Sequence, residues 1–305
     1  MKNIYILISI LFVAGLSTTQ AQQLPQFTQY MYNTISINPA YAGSRDGLSM
    51  TALHRSQWAG IAGAPRTQTL SIHSPLNNEK VGLGVSVIND RTGYENYTYL
   101  YGDFSYTINV SADVTLAFGL KGGFSYYGLD EELFNEPSVI QDPFFREKFD
   151  KWTPNFGAGL YLSSQNWYLG LSAPKLINND NNEFSEYVAL EQVHYYLTGG
   201  YVFDMSDTWK LRPTALAKVT AGAPLSFDMS ATAIYDEKLY LGATYRIDDA
   251  IGAFIDFQIF EPLRIGYGYE YTLSDLRPYT TGSHEVILIY ELRFQNTKYK
   301  SPRFF

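Results

Sequence analysis

The feature that most limits how this chain can fold is a two-residue alternation that recurs along nearly its whole length. Across residues 114–126 one parity reads Val114, Leu116, Phe118, Leu120, Gly122, Phe124 and Tyr126, while the other reads Thr115, Ala117, Gly119, Lys121, Gly123 and Ser125. Successive side chains of a strand point to opposite faces, so this stretch reads as a strand with one apolar face and one small or polar face. The same period runs through 81–87, 156–162, 263–271 and 286–294, and almost no helical period competes with it. Counting these stretches gives roughly fourteen strands, most about ten residues long, the length of a tilted membrane-spanning strand. Their expected starts lie near Gly47, Pro65, Lys80, Tyr97, Ala112, Thr153, Asn166, Gln192, Asp207, Pro224, Lys238, Ala250, Leu263 and His284.

The chain opens with Lys2, an apolar stretch over 4–16, and Thr19-Gln20-Ala21, which together read as a secretory signal peptide over residues 1–21. Beyond it the longest clean apolar run is about 286–290, far below the roughly 20 residues a spanning helix needs. A membrane protein with this sequence must therefore be an all-β transmembrane antiparallel barrel. Turn lengths give it a direction. Tight polar turns at Ser164-Gln165, Ser206-Asp207, Asp236-Glu237 and Glu261-Pro262 alternate with connections that include two long loops, 128–152 and 175–191. That asymmetry predicts long loops facing outward and both termini in the periplasm. Tyr94, Tyr97, Tyr99, Trp152, Trp167, Tyr187, Trp209, Tyr235 and Tyr279 fall near strand ends, where amphipathic rings favour the headgroup zone. Tyr-rich strands also occur in soluble barrels and sandwiches. The expected division is a signal peptide at 1–21, a plug or periplasmic segment at 22–46, the barrel at 47–295 and a periplasmic tail at 296–305.

Composition removes several functions. Without cysteine there are no disulfides, Cys-zinc sites, iron-sulfur clusters, thiol nucleophiles or lipoprotein anchor. A formal charge of -8, from 22 Lys+Arg and 30 Asp+Glu, argues against nucleic acid as a partner. The four histidines, His54, His73, His194 and His284, form no local catalytic motif. Ser283-His284-Glu285 looks suggestive, but neighbours on a strand face opposite ways, so Ser283 and His284 do not converge. The run 178–183, Asn-Asn-Asp-Asn-Asn-Glu, lacks calcium-loop spacing and reads as a loop tip. We expect a non-enzyme with no catalytic, cofactor or metal residues. The polar parity carries Lys121, Lys210, Arg212, Asp228, Arg246, Arg264, Glu270, Glu285, Glu291 and Arg293. Such mixed signs suit a lumen closed by ion pairs, into which the Gln-, Asn- and Tyr-rich segment 22–46 can fold.

The most distinctive residues are Gln29-Tyr30-Met31-Tyr32-Asn33, Asn38-Pro39-Ala40-Tyr41-Ala42-Gly43, His54-Arg55-Ser56-Gln57-Trp58-Ala59-Gly60, Gly63-Ala64-Pro65-Arg66-Thr67 and, near the end, Gly282-Ser283-His284-Glu285. These blocks closely resemble the PorP/SprF family. The resemblance implies an outer-membrane barrel of Bacteroidetes tied to type IX secretion and gliding motility. Its implied partners are a secreted surface protein or adhesin, periplasmic or outer-membrane components of the secretion machinery, and outer-membrane lipid. Asn38, Pro39, Arg55, Gln57, Trp58, His284 and Glu285 are the candidate partner-binding or structural residues. The alternative function is a transporter for small molecules, hydrophobic ones included. The long loops are acidic and the tail beyond Phe294 is basic, so the two ends of the barrel suit different partners.

Overall fold

The computed structural model describes residues 25–76, 80–137, 139, 150–178 and 192–293. The expected signal peptide, the 179–183 part of the Asn-rich run and the tail 296–305 lie outside them. The strands are β1 (Gly47–Ser56), β2 (Arg66–Pro75), β3 (Val81–Thr92), β4 (Glu95–Asn109), β5 (Thr115–Leu129), β6 (Asp150–Ser163), β7 (Trp167–Ala173), β8 (His194–Tyr201), β9 (Phe203–Asp204), β10 (Trp209–Thr220), β11 (Ser226–Tyr235), β12 (Leu239–Arg246), β13 (Ala250–Phe260), β14 (Leu263–Thr272) and β15 (Ser283–Arg293). Each pairs antiparallel with its neighbours; β10 pairs with β11, and β1 pairs with both β2 and β15, so the sheet closes on itself. The two-residue β9 continues the line of β8 past Val202 and pairs with β10 alone. Fourteen strands thus make the wall.

Closure settles the backbone hydrogen bonds, and parity then sorts the side chains. On β5, Ala117, Lys121 and Ser125 are buried inward, whereas Phe118, Leu120 and Phe124 stand exposed on the outer face, Leu120 at 63%. Val85, Leu171, Ile251 and Ile255 continue this outer surface around the barrel. So much exposed apolar area is unfavourable in water and suits a hydrocarbon solvent. Among the described residues no helix is long and apolar enough to cross a membrane; the crossing is made by strands.

Two expectations need revision. Strands β4 and β5 run further than the sequence suggests, with Glu95↔Leu129 and Gly128↔Asp150 still in register, so the first long loop is narrowed to 130–149. Tyr97 and Tyr99 are not part of a rim girdle. They share the inward parity of Tyr101, Asp103 and Ser105 and stack inside the lumen at 6.3 Å ring spacings. Trp152, Trp209, Tyr235 and Tyr279 do stay exposed.

The core of the molecule is the segment before β1. Residues 27–36 and 38–42 are buried, among them Phe27, Met31, Ile35 and Tyr41. Their contacts trace a path down the lumen. Gln26 Nε2 donates to Ser226 Oγ (2.8 Å) at the mouth where β11 begins. Below it, the Tyr30 hydroxyl meets Thr214 Oγ1 (2.7 Å) and Asn33 Nδ2 donates to Thr69 Oγ1 (3.0 Å). Lys121 Nζ then donates to the Ile35 carbonyl (3.2 Å) and Ser105 Oγ to the Ala42 carbonyl (2.5 Å), and Arg45 reaches Glu291 (3.5 Å) at the other mouth, beside Gly47. The segment therefore runs from the rim of the long loops to the rim of the short turns. Its described beginning and the described end of β15 lie at opposite mouths, while residues 1–24 and 294–305, on which the expectation of periplasmic termini rests, lie outside the described residues.

Inward glycines make this passage fit. A Cβ on Gly119 would lie 2.0 Å from the Ala40 nitrogen, and one on Gly159 would lie 2.1 Å from Asn38 Oδ1. Replacing Gly119 by valine should cost about 1–3 kcal/mol of overpacking. The wall pairs through backbone, so Gly119→Val should still give a heat-modifiable barrel on electrophoresis, while limited proteolysis of the 25–46 segment accelerates.

Candidate functional site

The densest polar cluster lies near the long-loop mouth, where the first and last strands close the barrel. Arg55 of β1 stands directly opposite Glu285 of β15 in the register. Arg55 Nη2 is 2.5 Å from Glu270 Oε2, and Nη1 is 3.4 Å from Glu285 Oε2. Arg246 extends the network, at 3.7 Å from Glu270, 2.6 Å from Asp228 and 3.1 Å from Asp249. Five strands, β1, β11, β12, β14 and β15, are thereby linked by charge inside the lumen. The ions on these strands are buried, Asp249 in the adjoining turn being partly exposed, and their burial is tolerable because the partners compensate one another.

This cluster also holds the lumen segment. Glu285 accepts from two successive backbone amides, Thr28 N–H at 3.0 Å and Gln29 N–H at 2.8 Å, and Arg55 Nη1 donates to Thr28 Oγ1 at 2.8 Å. A carboxylate receiving paired backbone donors is a strong, directional contact. Lower down, Lys121 pairs with Asp103 (2.7 Å), and Arg212 Nη2 donates to the Tyr32 hydroxyl (2.7 Å).

The structure divides the seven candidate residues. Arg55 and Glu285 meet in the lumen. Asn38 and Pro39 sit deeper, where Asn38 is extended (φ -136°, ψ 108°), as a residue before proline must be. The Asn38 side chain accepts from Ala40 N–H (3.0 Å) and donates to the Leu160 carbonyl (3.0 Å). Beyond the strands Gln57 prolongs the pairing of β1 with β2, and Trp58 prolongs the seam with β15. Gln57 N–H donates to the Pro65 carbonyl (3.0 Å) and Trp58 N–H to Ser283 Oγ (3.1 Å), with Ala59 N–H reaching the Gly282 carbonyl (2.7 Å). Trp58 takes a left-handed backbone (φ 49°) in that turn. His284 points the other way, onto the outer face, with Nδ1 2.7 Å from the Tyr267 hydroxyl.

Ser283 and His284 accordingly engage different partners on opposite faces. No cluster of three or more His, Asp or Glu side chains among the described residues is placed to hold a metal. Inward charges read from the parity are found buried at Lys121, Arg212, Asp228, Arg246, Arg264, Glu270 and Glu285. Lys210 and Arg293 instead lie at the short-turn rim, where Lys210 pairs with Asp204 at 2.5 Å. Sequence reasoning missed Asp103, Arg45 and the glycines that admit the segment, although Asp103 shares the parity of Tyr101 and Ser105.

Removing one partner of a buried ion pair costs about 3–5 kcal/mol, so Arg55→Ala should lower the denaturant midpoint well beyond the effect of Lys238→Ala, whose ion pair is exposed. In planar bilayers the native protein should conduct little, and deletion of 22–46 should open it, with Arg55→Ala showing intermittent openings.

A family model described as "Type IX secretion system membrane protein PorP/SprF" matches residues 19–290. No curated protein matches the sequence. Among solved structures the chain is similar to the Ralstonia pickettii toluene transporter TbuX, with TM-score 0.51, 11% identity, and coverage of 85% of this chain and 92% of that one. It is likewise similar to the CymD monoaromatic hydrocarbon channel, with TM-score 0.50, 10% identity, and coverage of 87% and 94%. At such identities these likenesses show the barrel fold alone. The match over nearly the whole chain, together with a closed outer-membrane barrel, means that the chain belongs to the PorP/SprF family of type IX secretion system membrane proteins.

Proposed function

We propose that this protein is a non-enzymatic, plugged outer-membrane scaffold of the type IX secretion and gliding system. It helps export a secreted partner such as an adhesin, or holds it at the cell surface, and its other mouth meets periplasmic secretion components. The observation that carries this reading is the lumen segment, bonded to the wall from Gln26 to Arg45. A barrel filled in this way offers partners its two rims and its lipid-facing wall rather than a pore. In this reading the rim of Gly47 and Arg293 faces the periplasm and the long loops and the start of the lumen segment face outward, an orientation supported by the short turns.

Similarity to a toluene transporter and a hydrocarbon channel supports the second reading, transport of small hydrophobic molecules. The continuous anchoring of the segment weighs against it. Transport would require Glu285, Lys121 and Arg212 to release their plug contacts in every cycle.

Tags at Gln22 and near Glu136 should be accessible on intact cells and a tag at Asp236 should not; labelling at Asp236 with the outer membrane intact would reject the orientation. Pull-down from membranes then separates the functions. Shortening 130–149 should release a secreted surface protein, and truncation after Gln295 should release periplasmic components, while both variants still assemble. Retention of every partner by both variants, with substrate-dependent uptake of small hydrophobic compounds, favours the transporter.

A further inference from the structure

The sequence blocks that send Arg55 and Glu285 into the lumen turn their alternate residues outward, and those residues meet on one patch of the outer wall. His54 and Ser56 of β1, Arg66 and Gln68 of β2 and His284 of β15 share the lipid-facing parity at the long-loop end. The register joins them in a row: His284 stands opposite Ser56, Ser56 opposite Arg66, and Arg66 opposite Arg91 of β3. One step below, Gln68 stands opposite both His54 and Asn89. At the same end of neighbouring strands the wall presents Tyr245 and Ile251 on one side and Tyr126 and Trp152 on the other. A polar shelf confined to a few strands of an otherwise apolar wall is costly in lipid unless a polar group covers it. Arg66 is the telling member. It is exposed and has no ion pair or side-chain hydrogen bond among the described residues, whereas Arg91 across the register is paired with Asp130. Like charges directly opposite on one face repel, and an anion at Arg66 relieves that repulsion.

We propose that this patch binds a phosphate-bearing lipid, with Arg66 as the headgroup anchor. The position of the patch selects the occupant. Its wall faces hydrocarbon, the anions that a bilayer brings to the end of a strand are headgroup phosphates, and a guanidinium matches phosphate oxygens two at a time. His284 adds a second polar contact: its Nδ1 is held by the Tyr267 hydroxyl (2.7 Å), and its Nε2 has no partner among the described residues. The same row supplies a place for the chains. From His284 it runs on through Tyr269 to Ala253, Ala243 and Ala231. These alanines floor a shallow trough of about 620 Å³, flanked by Met229, Tyr245 and Tyr269. Four strand spacings separate Ala253 from Arg66, about 19 Å along the wall. Acyl chains of one leaflet extend about 15 Å, half the hydrocarbon core, so a lipid with its phosphate at Arg66 reaches the trough. The site rests on the wall lying in a membrane and not on which partner meets either mouth, so its failure leaves the surface role standing.

The test is native mass spectrometry of the detergent-solubilised full-length protein with three probes. These are dioleoyl phosphatidic acid, dioleoylglycerol with the same chains and no phosphate, and glycerol phosphate with no chains. Phosphatidic acid should bind about tenfold more tightly than dioleoylglycerol, the size of a charge-assisted contact, and glycerol phosphate should not displace it. Arg66→Gln should erase that preference, while Lys238→Gln at the other rim should leave it intact. Ala243→Trp, which fills the trough, should weaken both lipids. Arg66 and Ala243 face outward, so both variants should keep heat-modifiable migration; where Arg66→Gln does not assemble, the ratio of the two lipids on the unaltered protein decides. Equal binding of the two lipids, an unchanged preference in Arg66→Gln, or displacement by glycerol phosphate overturns the proposal, and the first of these leaves Arg66 to an acidic group of a protein partner.

Discussion

Hydrocarbon offers no hydrogen bonds, and this requirement on the backbone determines most of the molecule. A chain that crosses as strands must close its sheet, so β1 and β15, the most distant strands in sequence, have to meet. Closure in turn creates an interior whose lining can be polar, because it faces neither lipid nor an apolar core. Here that interior is filled by the protein's own segment, and the lining supplies the donors and acceptors the segment needs. The ion pairs follow from the same constraint: Arg55, Glu270, Glu285 and Arg246 are buried together because none could be buried alone.

Filling the lumen with irregular backbone raises a second problem, since each of its amides and carbonyls loses water. The solution is local and repeated. Short helical turns at Tyr30–Tyr32, Thr34–Ile37 and Pro39–Tyr41 satisfy some groups internally, and wall side chains take up others at Thr28, Gln29, Ile35, Ile37 and Ala42. Packing completes the fit. Gly82, Gly119 and Gly159 let the segment approach the wall at separations that any side chain would forbid.

The fold was legible because alternation is a local signal: Leu120 and Lys121 declare opposite faces whatever surrounds them. The rims were legible from turn lengths for the same reason. Tyr97 and Tyr99 were misread because tyrosine satisfies a headgroup boundary and a polar lumen equally well, and only the parity of the whole strand separates the two. The meeting of Arg55 with Glu285 could be suspected from their distinctive sequence blocks, yet the contact depends on the register across the seam, which no local pattern encodes. Gly119 and Gly159 gave no sign at all, since a glycine in a strand explains itself only when the chain opposite it is known.

The direction of the lumen segment has a mechanical consequence. Its described beginning lies at the long-loop mouth near Ser226, and its other end continues into β1 at the opposite mouth beside Arg45. A pull on the segment from the long-loop mouth falls first on the contacts of Gln26 and on the Glu285 clasp. A pull applied at Arg45 falls first on its pair with Glu291 and on the chain entering β1, whose strand is bonded to both neighbours. Tension from the two mouths is thus met by different parts of the molecule: hydrogen bonds to the lumen segment at one, and the strand that closes the barrel at the other.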